Sequence, residues 1–303
     1  MIREADVRRF AGESRVDVSI ARLEIILTIM LQRVATAPVG KQMVFKGGTA
    51  LRKLVFGTAG RFSEDLDFAA LTTDTEAAQL ELMTTLEDGD QDGVSAKFEK
   101  WDVAGPGTLQ ALCSFDSSIG AGHFELDVTV GQRPTLVGAI WQTPARQSYF
   151  DRLGFDPAPI LSMQSAEIGA EKLAAIHRRS GNRNPKDIWD LWKWLMLPPR
   201  DQEIAAFRQL WPVRLWFDKQ PWRGRGWFGN LEAGAFDWDR LSGLLPRGRA
   251  LAPAQILQDL KARLAPWIDE AEDLLQEAGA GRRRAAAEVE AEAQAAVRQL
   301  ERI

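Results

Sequence analysis

The chain reads as an α+β protein in two parts: a mixed strand-and-helix domain over residues 1–155 and a mainly helical domain over 156–303. Two patterns predict this. Between residues 43 and 130, short segments alternate apolar and polar residues between glycine-rich turns, which is the period-two signature of strands. From Gln164 onward apolar residues return at three- and four-residue steps, the helical period. Length agrees, since 303 residues suit one large or two modest domains and 45% hydrophobic content can fill a sizeable core.

The elements follow in order. Residues 16–36 form an amphipathic helix, with Ile20, Leu23, Ile26 or Leu27, Met30, Leu31 and Val34 at helical spacing and Asp17 or Ser19 placed to cap it. Pro38 and Gly40 end it. Residues 43–46 are a short strand feeding a glycine turn, and 49–56 the helix that starts over that turn. A loop at 57–60 leads to a strand continuing over 66–70. Then come a helix at 75–87 capped by Asp74 or Thr73, a loop at 89–93, and strands at 96–103, 110–114 and 123–130 with turns at 105–107 and 120–122. Helices at 165–179 and 185–197 follow, the second stopped by Pro198 and Pro199. Residues 201–250 are mixed, with an irregular loop at 222–227. Residues 253–277 are helical around Pro266, and 282–303 read as a polar Ala/Glu/Arg-rich helix.

Composition excludes several classes. Cys113 is the only cysteine, so an internal disulfide framework and a Cys-rich zinc site are ruled out. The charged start, MIREADVRRF, lacks the apolar centre of a signal peptide, and Arg22 and Glu24 interrupt the longest apolar stretch. A cytoplasmic protein is expected. Net charge is −4, so a nucleic-acid partner would need local basic patches. Eleven tryptophans, several between 189 and 238, are expected to build a core or helix interface, given the area each ring buries.

The chemistry is concentrated between Phe45 and Phe68, FKGGTALRKLVFGTAGRFSEDLDF. Asp65 and Asp67, two apart on a strand, point to one face and repel each other unless a cation neutralises them. Hard oxygen ligands select Mg²⁺ or Mn²⁺. Gly47 and Gly48, followed by the Thr49 hydroxyl, allow backbone N–H groups to approach phosphates. Ser63 is a second hydroxyl near such a triphosphate, and Lys46, Arg52 and Arg61 are candidates to neutralise its charge. A third carboxylate is expected from a neighbouring strand: Asp127, or its same-face neighbour Glu125, in His123–Thr129. His177 reads as a helix-face histidine. Arg178, Arg179, Arg183 and the 222–227 segment are basic groups able to grip RNA, or simply solvated faces, and Arg282 to Arg284 read as a helix end or tail.

The ordered set KGGTALR, RFSEDLDF, the EKLAAIHRR stretch from Glu171 and the RNPKDIWDL stretch from Arg183 resembles the AbiEii/AbiGii nucleotidyltransferase toxins of the polymerase-β-like nucleotidyltransferase superfamily. The resemblance spans residues 45–191. It implies an N-terminal nucleotidyltransferase domain with a mixed sheet and a helical domain completing an active-site cleft. It also implies metal-dependent transfer of a nucleoside monophosphate from an NTP to RNA, tRNA 3′ ends first, in a toxin–antitoxin or abortive-infection phage-defence system with a cognate antitoxin. On this reading Asp65, Asp67 and Asp127 hold the metal. Lys172 reaches the triphosphate, and Asp187, which with Asp190 shares one helix face, orients Lys172 or a substrate group. Two rivals remain: transfer to a protein or small molecule, and NTP binding without turnover.

Overall fold

The computed structural model describes residues 3–280 except 73, 88–92, 106–107, 131–134, 179–183, 199 and 219–221. The expected helix at 282–303, the Arg282 to Arg284 group, Arg179, Arg183, the Thr73 cap, most of the 89–93 loop and the centre of the 105–107 turn lie outside the described residues. The chain divides into two units. One comprises Met1–Thr135, Ala139–Met163 and Gly243–Arg249; the other comprises Leu136–Gly138, Gln164–Ser242 and Ala250–Ile303.

In the first unit the order is α1 (Glu4–Ser14), α2 (Val18–Thr36), β1 (Met43–Lys46), α3 (Gly47–Ala50), a π-helical turn (Leu51–Phe56), β2 (Asp65–Ala70), α4 (Thr75–Glu87), β3 (Val94–Gly105), β4 (Thr108–Ser117), β5 (Gly122–Thr129), β6 (Ile140–Gln142), α5 (Phe150–Leu153) and β7 (Ile160–Ser162). The strands make one mixed seven-stranded sheet in the order β3-β4-β5-β2-β1-β7-β6. β2 pairs parallel with β5 and antiparallel with β1, while β1 runs parallel to β7. The carboxylate strand β2 therefore lies at the centre of the sheet, paired on both edges. Helix α2 packs on β2, β5 and β7. It is buried more fully than an amphipathic helix: Ile25, Ile26, Leu27, Ile29, Met30 and Leu31 are all enclosed, each contributing about 1.5–3 kcal/mol by burial. Asp17 stands at its N-cap without a capping bond, its carboxylate pairing with Arg247 instead. Asp74 does cap α4, accepting from the Ala77 N–H at 3.0 Å.

In the second unit α6 (Ser165–Arg178), α7 (Lys186–Leu195), α8 (Asp201–Phe217), α9 (Gly226–Gly229), α10 (Trp238–Ser242) and α11 (Pro253–Ala280) form a helical assembly, with α6 against α7 and α8, and α11 against α7 and α8. Trp189, Trp194 and Trp211 are fully buried there, as the core reading of the tryptophans expects. Helix α8 is a finding within the segment read as mixed. Pro212 lies inside it, yet Phe207, Leu210 and Trp211 anchor it by burial. Among the described residues, no helix is long and apolar enough to cross a membrane.

Candidate active site

Strand register assembles the site. Lys46 on β1 stands opposite Asp67 on β2, Asp67 opposite Asp127 on β5, and Asp127 opposite Gln110 on β4. One row across four strands thus reads cation, carboxylate, carboxylate, amide. Asp65 stands opposite Glu125 in the neighbouring row. Leu66, Phe68, Phe124, Leu126 and Val128 alternate with these residues and are buried, so the carboxylates share the opposite face. A cavity of about 260 Å³ opens on that face, lined by Gln110, Leu112, Glu125, Asp127, Lys100 and Asp102. Burial raises the Asp127 carboxyl above the ordinary aspartate range; Asp65 and Glu125 add to the rise, and Gln110 and Lys46 oppose it.

The glycine–hydroxyl segment holds the carboxylates from the side. Gly47 has φ of 77°, and a Cβ built there would lie 1.9 Å from Asp67 Oδ2, so this position requires glycine both for backbone conformation and for contact. Thr49 Oγ1 reaches Asp65 twice, donating toward its main-chain carbonyl at 2.7 Å and its Oδ1 at 2.9 Å. Ser63 Oγ donates to the same Oδ1 at 2.9 Å. Both hydroxyls are buried, at 0% and 2% exposure. The two hydroxyls expected near a triphosphate are thus engaged in fixing Asp65, and hydrogen bonds to a charged acceptor are worth about 1.5–3 kcal/mol each.

The basic residues divide. Lys46 is part-exposed on the carboxylate face. Arg52 and Arg61 are enclosed: Arg52 bonds the Gly57 and Gly60 carbonyls, and Arg61 the Phe62 carbonyl at 3.1 Å and Ser63 Oγ at 3.5 Å.

In the second unit Lys172 Nζ lies 2.7 Å from Asp187 Oδ1 and 3.3 Å from Asp190 Oδ2. Two carboxylates one helical turn apart on α7 hold one ammonium of α6 from two sides. Asp190 is a full partner in this clamp; the three-residue spacing from Asp187 was the available signal. Glu167 and Glu171 turn instead to Arg214. Glu167 also accepts from the Leu136 and Val137 N–H groups, and burial pushes its carboxyl up to about 7 despite Arg214.

His177 is enclosed. It is 1% exposed, stacked on Trp222 at 5.3 Å and edge-on to Trp227 at 4.8 Å. Burial, with Arg223 adding to it, lowers its pKa to about 4. The Trp222 Nε1 donates to Glu272 and Trp227 is buried, so these rings pack within the unit.

Among the described residues, no three His, Cys, Asp or Glu side chains already stand close enough to close a metal site. The donor chemistry nevertheless fits a hard divalent cation: Asp65, Asp67 and Asp127 are oxygen donors on one sheet face, and Asp127 is held above its usual range partly by Asp65.

Comparisons with known proteins bear on the fold and the family. MenT4, a nucleotidyltransferase toxin from Mycobacterium tuberculosis H37Rv, superposes with a TM-score of 0.80 at 23% identity, covering 99% of each chain. A candidate nucleotidyltransferase from Helicobacter pylori gives 0.50 at 16% identity, covering 86% of this chain and 98% of its own. These likenesses establish the fold. No curated protein sequence matches significantly. The model of the family described as nucleotidyl transferase AbiEii toxin, Type IV TA system, matches residues 29–254. With that match across most of its length, the chain belongs to the AbiEii family of nucleotidyl transferase toxins.

Proposed function

We propose that the protein transfers a nucleoside monophosphate from an NTP to the 3′ end of an RNA, tRNA first, releasing pyrophosphate and arresting growth by blocking aminoacylation. The observation that carries this reading is the row Lys46–Asp67–Asp127 with Asp65 beside it, on an open sheet face next to the Gly47 turn. Family membership brings an NTP and a cognate antitoxin with it.

Asp65, Asp67 and Asp127 would hold Mg²⁺ or Mn²⁺, which when bound neutralises phosphate charge and lowers the pKa of a coordinated hydroxyl. The chain's own residues prepare that site. Thr49 and Ser63 fix the Asp65 carboxylate. Gly47 lets Asp67 approach the turn, and the Gly47 and Gly48 N–H groups serve the triphosphate oxygens. Lys46 offsets charge on the carboxylate face. Lys172 is oriented by Asp187 and Asp190 as a point charge.

The test is to incubate purified protein and Mg²⁺ with total bacterial RNA, protein and small-molecule fractions and each α-³²P-labelled NTP in turn. Label in tRNA-sized RNA from one preferred NTP is the expected result. Label in protein or small molecules instead would replace the acceptor, and no label in any fraction would reduce the chain to an NTP-binding module.

A further inference from the structure

Arg52 lies three residues beyond Thr49 and exposes 2% of its surface. Its Nη1 donates to two carbonyls, Gly57 at 3.0 Å and Gly60 at 2.9 Å. Its guanidinium carbon sits 3.9 Å from the centroid of the Phe62 ring, and its Nε faces Glu24 Oε2 at 3.4 Å. Glu24, on α2, is fully enclosed and takes Lys53 Nζ on its other oxygen at 3.0 Å. Lys53 continues to Thr28 Oγ1 at 2.7 Å, and Thr28 shares a 2.6 Å hydrogen bond with the Tyr149 hydroxyl. One buried carboxylate therefore serves two arms. The Lys53 arm runs to α2 and Tyr149, and the Arg52 arm runs to the loop that follows the π-helical turn.

That loop leads to the site. Gly57 has φ of 54° and ψ of −130°, a conformation open to glycine that side chains resist. From Gly60 the chain passes through Phe62, whose N–H donates to the Leu244 carbonyl at 2.8 Å, to Ser63, whose hydroxyl meets Asp65 Oδ1. We propose that Arg52 is a positioning residue of the transfer site: through the Gly57 and Gly60 carbonyls it sets the loop that brings Ser63 onto the Asp65 carboxylate, with Glu24 as its buried counter-charge. This rests on Asp65 serving the transfer proposed above. A planar guanidinium spans two carbonyls and stacks on a ring at once, which a lysine ammonium cannot do.

Arg52→Lys tests the assignment, because it keeps the charge beside Glu24 and loses the fork. Thr28→Val is the control on the other arm. The expected result for Arg52→Lys is kcat lower by about tenfold or more, with KM for the NTP within about twofold of wild type. Thr28→Val lowers the melting temperature and leaves kcat within about twofold. A KM for NTP raised by about tenfold at unchanged kcat would make Arg52 a phosphate ligand and overturn the proposal; so would unchanged kcat and KM. If Arg52→Lys does not fold cooperatively, Phe62→Leu, which removes only the ring under the guanidinium, is read by the same criteria. Amide hydrogen exchange across residues 57–63 gives a readout independent of turnover. Faster exchange in Arg52→Lys but not in Thr28→Val supports the clamp, and unchanged protection in both refutes it. A wild-type protein that labels no acceptor while Arg52→Lys still loosens this loop would count against the transfer reading alone.

Discussion

Replacing Gly47 by alanine adds one methyl group, and its effect can be worked out from two local facts. The backbone there has φ of 77°, and the new Cβ would lie 1.9 Å from Asp67 Oδ2 and 2.7 Å from its Cγ. The left-handed conformation costs a non-glycine residue about 1–2 kcal/mol, which a domain of this size absorbs without unfolding. The contact is the larger problem. Real Cβ atoms do not approach below 3.0 Å, so the Asp67 carboxylate must retreat by about 1 Å or the turn must shift by as much. Asp67 sits opposite both Lys46 and Asp127, leaving little room to retreat without breaking the row. A misplacement of about 1 Å costs on the order of 10²-fold in rate. Gly47→Ala should therefore melt only a few degrees below wild type while losing about 99% of nucleotidyl transfer, measured by thermal unfolding and labelled-NTP incorporation on the same preparation. A folded Gly47→Ala protein with more than about a third of wild-type activity would refute the contact argument.

Three further outcomes follow from the same geometry. Ser63→Ala and Thr49→Val each remove a hydrogen bond to Asp65 and should lower kcat by about tenfold with little change in NTP KM; a rise in KM alone would return these hydroxyls to the triphosphate. Lys172→Met removes the ammonium that Asp187 and the buried Asp190 share and should cost about 3 kcal/mol as well as activity. Adding Asp190→Asn should restore part of the stability and none of the activity in paired chemical-denaturation and transfer assays. For His177 the folded pKa of about 4 lies below the unfolded value of 6.5, so the unfolded chain binds the extra proton first. The contribution is present above pH 6.5 and lost as pH falls toward 4, reaching at most about 3 kcal/mol. Urea titrations of wild type and His177→Phe should diverge over that window; parallel pH dependences would show that the imidazole titrates freely.

Much of the candidate site was legible because its signals are local. Asp65 and Asp67 at i and i+2, and Gly47 and Gly48 upstream of them, advertise their geometry in sequence, and the alternation around Asp127 marked its strand. Register was not legible: nothing in residues 123–129 says that Asp127 rather than Glu125 faces Asp67, a choice made by the parallel pairing of β5 with β2. The roles of Thr49, Ser63 and Arg52 were also hidden. A hydroxyl or guanidinium that serves a substrate and one that serves the protein look alike until burial is known. Strands β6 and β7 are three residues each, too short for a period to show. Helix α1 is hidden in the sequence because its first turns are charged, although Val7, Phe10 and Ala11 bury one face of it. The tryptophans, by contrast, followed from size alone: rings this large are buried where a helical core can take them.

The central claim is that the carboxylate row on β2 and β5 performs nucleotidyl transfer, and the most direct measurement is incorporation from α-³²P-labelled NTP by four proteins side by side: wild type, Asp65→Ala with Asp67→Ala, Asp127→Asn, and Glu125→Gln. The account predicts label in RNA with wild type and Glu125→Gln, and none above background with the double variant or Asp127→Asn. Label in RNA from the folded double variant, or full activity in Asp127→Asn, would contradict it.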